Sequence, residues 1–114
     1  MTDKTPSEDQ EQMWFVQWFK RTYPSIRLMS IPNGGHRHIS VAAKMKATGQ
    51  AKGVPDIFIP QWNLWIEMKR QTGGVLSPEQ KDWIQYLESI GHRCIVGRGF
   101  EGAKRQVIEM TKGP

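Results

Sequence analysis

The spacing of apolar positions changes several times along the 114-residue chain, and each change predicts an element. Trp14, Phe15, Trp18 and Phe19 recur at helical spacing, which predicts a helix over residues 7–22 with these four aromatics as its buried stripe. Ser7 suits the N-cap, Glu8 and Asp9 suit the first turn beside the positive end of the helix dipole, and Tyr23-Pro24 ends the run. Residues 26–31 read as a strand, broken by Pro32-Asn33-Gly34-Gly35. A loop follows, then a short helix over 41–48 behind Ser40, closed by Gly49.

Two short strands come next. Residues 55–60 and 64–70 are joined by Gln61-Trp62-Asn63, so the pair reads as a hairpin. Ser77-Pro78-Glu79-Gln80 opens another helix, with Ser77 at the N-cap, Pro78 at the first helical position and Gln80 placed to close a capping box. Trp83, Ile84, Leu87 and Ile90 form its stripe and Gly91 stops it. A strand over 92–97 and a weaker helix over 100–110 complete the order α-β-α-β-β-α-β-α. That order predicts an α/β domain with a mixed sheet of about four strands flanked by helices. Residues 1–6 read as a disordered N-terminal tail, and residues 7–114 as a single domain.

Charge narrows the partner. Sixteen Lys and Arg stand against eleven Asp and Glu, for a formal net charge of +5. Between Gln12 and Pro55 there are seven basic residues (Lys20, Arg21, Arg27, Arg37, Lys44, Lys46, Lys52) and no acidic one. Such a stretch favours a polyanion, nucleic acid first, over an ordinary solvated basic face. The single cysteine, Cys94, lies in an apolar run and reads as a strand residue, so neither an internal disulfide nor a cysteine zinc site can form. No apolar run approaches the ~20 residues that span a bilayer, and the polar, acidic N-terminus is unlike a signal peptide. A soluble, cytoplasmic protein is expected.

The chemistry concentrates on the hairpin. Alternation along Leu64-Trp65-Ile66-Glu67-Met68-Lys69 places Leu64, Ile66 and Met68 on one face, which suits a core. It places Trp65, Glu67 and Lys69 on the other, with carboxylate and ammonium about 7 Å apart along the strand. Antiparallel pairing then brings Asp56 towards Glu67. Two converging carboxylates repel unless a cation lies between them, and an all-oxygen donor set favours Mg²⁺ or Mn²⁺ over zinc. A cation there would hold a scissile phosphate, and Lys69 would orient or deprotonate the attacking water. Spacing alone leaves open a surface hairpin with a cross-strand salt bridge.

Pro55-Asp56 with Glu67-Met68-Lys69 resembles the PD-(D/E)XK nuclease signature. The segments around it resemble the virus-type replication-repair nuclease (VRR-NUC) domains: Glu8-Asp9-Gln10-Glu11-Gln12, Ile31-Pro32-Asn33-Gly34-Gly35, Gly53-Val54-Pro55-Asp56, Ile66-Glu67-Met68-Lys69 and Leu76-Ser77-Pro78-Glu79-Gln80-Lys81. They cover nearly the whole chain in the expected order. The resemblance implies a restriction-endonuclease-like core and hydrolysis of phosphodiesters with Mg²⁺ or Mn²⁺. It also implies metal binding by Asp56, Glu67 and the main-chain carbonyl of Met68. Stand-alone bacterial and phage members of that family are similar to Holliday-junction resolvases and tend to be homodimers. The implied function is therefore a structure-selective endodeoxyribonuclease acting on four-way junctions. Flaps, nicks or plain duplex as substrate, and a non-catalytic DNA-binding module, are the alternatives.

The resemblance further implies a glutamate from the first helix. Glu8 and Glu11 both qualify, being one turn apart on the face of Phe15; position favours Glu8, and both also suit the dipole of the first turn. Gln80 is expected at the site, although the capping box alone would explain a glutamine there. Asn33, Gly34, Gly35, His36 and Arg37 read as a loop for DNA phosphate contact, or as a plain polar turn. Lys44, Lys46 and Lys52 read as DNA-backbone contacts or as solvated lysines. Trp62, on its turn, reads as exposed, there to stack on a base, to bury in a dimer contact, or simply as a rim residue.

Overall fold

The computed structural model describes residues 5–32 and 39–112. Helix α1 (Glu8–Thr22) begins at the predicted cap, where the Ser7 side chain accepts from the Gln10 N–H. Strand β1 (Met29–Ser30), helix α2 (Ile39–Ala47) and strand β2 (Ile57–Ile59) follow. A single 3-10 turn (Pro60–Trp62) leads through Asn63, in the left-handed region at φ 51°, into strand β3 (Leu64–Lys69). Helix α3 (Pro78–Ser89), strand β4 (Arg93–Arg98) and helix α4 (Gly99–Thr111) complete the chain. The order matches the sequence pattern.

The four strands form one sheet in chain order, β1-β2-β3-β4. Strands β1, β2 and β3 are successively antiparallel, while β4 runs parallel to β3. Parallel neighbours need a crossover, and α3 supplies it. The sheet is therefore mixed, with helices on both faces.

Alternation decides which residues enter the core. Ile57, Ile59, Leu64, Ile66 and Met68 are fully buried and pack with Phe15 and Phe19 of α1 and with Ala103 and Val107 of α4. Burying each of the large side chains contributes about 1.5–3 kcal/mol. Phe58, Trp65, Glu67 and Lys69 occupy the opposite face, where Phe58 stacks on Trp65 at 4.2 Å and the Trp65 indole N–H donates to His92 Nδ1. Helix α3 covers that face beside β4, close enough for the Cys94 thiol to reach the carbonyl of Ile84. Burial, with the charge of Glu88 added, pushes this thiol up to about 11, so it stays protonated and inert near neutral pH.

Several expectations change, among them Ile90 of the α3 stripe, which is exposed, and the second helix, which starts at Ile39 rather than behind Ser40. The aromatic stripe of α1 is narrower than its spacing suggested: Phe15 and Phe19 are buried and Trp18 half-buried, but Trp14 turns outward. The first strand shrinks from 26–31 to two residues, Met29 and Ser30, which pair with Phe58 and Ile57, although the Ile31 N–H still donates to the Asp56 carbonyl at 2.7 Å. Trp62 is not a rim residue. It packs edge-on against Phe19 at 5.5 Å and Tyr23 at 5.1 Å, closing the core where α1 ends. Among the described residues no helix is long and apolar enough to cross a membrane.

Candidate active site

Register brings the two acids of the hairpin together. Ile57 pairs with Ile66, so one position further Asp56 stands opposite Glu67, with both side chains on the non-core face. Asp56 Oδ2 accepts the Met68 N–H at 2.7 Å, which pins its carboxylate at the end of β2. A residue in an extended strand points its N–H and C=O to the same side, so the Met68 carbonyl also faces this edge. The Met68 side chain lies in the core, so only its main chain is turned towards these acids.

Helix α1 supplies the third acid. Ligand oxygens of Glu8, Asp56 and Glu67 all lie within 4.8 Å of one another. Lys69 Nζ stands 3.9 Å from Glu67 Oε2, and the Gln80 amide donates to the same oxygen at 3.2 Å. Gln80 is held by the predicted capping box: its carbonyl oxygen accepts from Ser77 N at 2.9 Å, which leaves only its NH₂ to face Glu67. The capping box and a contact with Glu67 are therefore compatible in one side chain.

The electrostatics are those of a site short of positive charge. Glu67 is 1% exposed, and its Oε1 is buried with no hydrogen-bond partner among the described residues. Burial first, then the charge of Asp56 and a hydrogen bond to it, raise Glu67 from its ordinary 4.5 to about 9, with Lys69 opposing. Glu8 is also raised, chiefly by burial. An orphaned carboxylate oxygen beside two further acids fits a hard divalent cation with oxygen ligands.

This proton affinity has a measurable consequence. Without a cation, Glu67 binds its proton more tightly in the folded chain than in the unfolded one. The resulting stabilisation is complete below pH 4.5 and is lost as pH rises through about 9. Melting temperatures in chelator should fall from pH 5 to pH 9, and saturating Mg²⁺ or Mn²⁺ should flatten the slope by replacing the proton. Glu67→Gln should remove most of the slope. A chelated protein whose stability rises over that range would contradict this account.

Two of the acids, Glu8 and Asp56, line a cleft of about 910 Å³ whose wall also includes Gln12, Lys46, Lys52 and Gln80, with Glu67 buried behind them. The far wall is the segment 49–53, which abuts α3: a Cβ on Gly53 would stand 2.6 Å from the backbone of Glu79, and its φ of +94° also favours glycine. Of the three lysines read as DNA-backbone contacts or as solvated residues, Lys46 and Lys52 line the cleft, while Lys44 is exposed on α2 outside its wall. Asn33, Gly34, Gly35, His36 and Arg37 lie outside the described residues. Glu11 is not brought to the cluster. Its buried carboxylate accepts from Phe100 N at 2.9 Å and Gln71 Nε2 at 2.8 Å instead. Gln12 was missed by sequence reasoning, although it sits one turn after Glu8 on the same side of α1.

Residues 3–101 match the family model described as the VRR-NUC domain. The chain belongs to the VRR-NUC domain family. A solved structure described as a VRR_NUC domain protein superposes with a TM-score of 0.81 at 26% identity, over 96% of this chain and 92% of that one. No curated protein matches the chain. The VRR-NUC fold here is α/β and restriction-endonuclease-like, with its four-stranded mixed sheet between helices. A VRR-NUC domain is a nuclease-type domain, so the coarse activity is that of a nuclease.

Proposed function

We propose that this VRR-NUC protein is a Mg²⁺- or Mn²⁺-dependent endodeoxyribonuclease that hydrolyses phosphodiesters in branched duplex DNA, four-way junctions above all. The observation that carries the metal-dependent chemistry is the convergence of Glu8, Asp56 and Glu67 within 4.8 Å, with a buried, unsatisfied Glu67 oxygen among them. Glu8, Asp56, Glu67 and the Met68 carbonyl are the donors for the cation. Bound there, the cation would polarise the scissile phosphodiester and favour attack by water.

The remaining roles fall to the chain itself. Lys69, 7% exposed, orients the attacking water or takes its proton, and its charge offsets that developing on the phosphate. Gln80 fixes the Glu67 carboxylate through its NH₂. Lys46 and Lys52 on the cleft wall contact DNA phosphates, joined by Lys44 and by the segment from Asn33 to Arg37. A homodimer, working in the cytoplasm of a bacterium or a phage-infected host, would supply two such sites for paired nicks. The junction preference and the dimer rest on the family likeness, since a fold does not choose a substrate.

The test is incubation of the purified protein with a labelled four-way junction and a matched linear duplex, with and without Mg²⁺ or Mn²⁺. Paired, metal-dependent cuts at the junction and little cleavage of the duplex are expected. Equal cleavage of both substrates removes the junction preference. No cleavage of either with both metals overturns the enzyme reading.

A further inference from the structure

We infer that the β4–α4 junction, Arg98-Gly99-Phe100, is a positioning anchor for the active site, reaching Glu8 through Glu11 and Lys69 through Gly74. The inference rests on the nuclease reading above and deepens it, because none of these residues touches the acid cluster.

The first arm runs through α1. Glu11 is 2% exposed, and both of its oxygens are engaged: Oε1 by the backbone N–H of Phe100, Oε2 by the amide of Gln71. Phe100 is the second residue of α4, and Arg98 at the N-cap makes no side-chain cap. A carboxylate on α1 therefore does the work of a cap for α4, where the helix dipole favours negative charge. The approach is close. Gly99 has φ +72°, and a Cβ there would stand 2.8 Å from Gln71 Cγ and 3.2 Å from Glu11 Oε2. Glu11 lies one turn beyond Glu8 on the same face, so seating Glu11 fixes the depth and rotation of the turn that carries Glu8.

The second arm runs through the segment after β3. The Arg98 guanidinium donates to the carbonyl of Gly74. Gly74 lies over the catalytic lysine, for a Cβ on it would sit 3.2 Å from Lys69 Cβ and Cδ. Gln71, two residues after Lys69, is held by Glu11. The junction and the Glu11 it seats thus secure residues 71–74 at both ends and set the roof above the Lys69 stem.

The arms predict different losses. Glu11→Ala should weaken Mn²⁺ binding about tenfold or more through Glu8, as removal of groups supporting metal ligands does, with KM for DNA unchanged. Glu11→Gln keeps an oxygen for Phe100 N, and Gln71 can turn its amide to meet the new NH₂, so this variant should recover most of the affinity. Arg98→Ala should lower kcat about tenfold by loosening Lys69, with Mn²⁺ affinity and KM unchanged.

The experiment measures Mn²⁺ affinity without DNA, kcat, KM and thermal melts for the full chain and the three variants. Glu11→Gln and Arg98→Ala carry the test if Glu11→Ala fails to fold. The anchor is overturned if a folded Glu11→Ala binds Mn²⁺ as the unmutated protein does, if Glu11→Gln is no better than Glu11→Ala, or if Arg98→Ala changes KM rather than kcat. An unmutated protein that neither binds Mn²⁺ nor cleaves DNA overturns the nuclease reading and the anchor with it. A protein that cleaves while its variants keep full affinity and rate sinks the anchor alone.

Discussion

Asp56→Asn is expected to slow metal-dependent cleavage by about 10³-fold or more, several kcal/mol of barrier, while making the cation-free protein more stable. The reason is the hydrogen bond that fixes Asp56. Its Oδ2 accepts from Met68 N at 2.7 Å. In the variant the amide oxygen takes that N–H, so an NH₂ group faces the other acids. An NH₂ cannot ligate a cation, but it can donate to Glu67, whose proton affinity Asp56 raises by both charge and hydrogen bonding. Repulsion is exchanged for attraction at the cost of function, a trade common at active sites. Single-turnover cleavage of labelled DNA and melts in chelator read the two effects separately. Cleavage within tenfold of the unmutated rate would remove Asp56 from the site.

Gln80→Glu should move stability the opposite way and also slow the chemistry. The new carboxylate keeps the capping box, for which glutamate is as well suited as glutamine. It also sets a negative oxygen where the amide now donates to Glu67 Oε2 at 3.2 Å. Helix α3 should be retained, but the melting temperature in chelator should fall because a further carboxylate joins the buried acids, and kcat should fall about 10²-fold, the usual cost of losing one aimed donor. Gln80→Ala should instead lose about 1 kcal/mol of stability with the cap. A fully active Gln80→Glu would mean that the amide does not support Glu67 in the working enzyme.

How much of this the sequence revealed depends on how local the cause was. The hairpin, its register and the facing of Asp56 and Glu67 were legible because alternation and a short turn determine all three. The capping box was legible because four consecutive residues specify it. Glu8 and Glu11 share one stripe, and periodicity has no means of separating them. What separates them is Phe100 N, 89 residues from Glu11 along the chain. Trp62 was misjudged for the same reason: a turn aromatic is exposed unless something arrives to cover it, and Phe19 and Tyr23 arrive from α1. Trp14 shows the limit of counting aromatics, since only part of a helix faces a core.

The matching order of chain and sheet divides labour along the polypeptide. Apart from Glu8, every residue assigned to bond breaking falls between positions 56 and 80, a contiguous strip that travels as one piece. The cleft's outer wall, with Ala42, Lys46 and the 49–53 segment, is encoded just upstream. Selection can therefore rewrite what the wall admits without editing the chemistry. Grafting residues 39–53 from a relative is the natural route to a nuclease with the same reaction and a different taste in DNA.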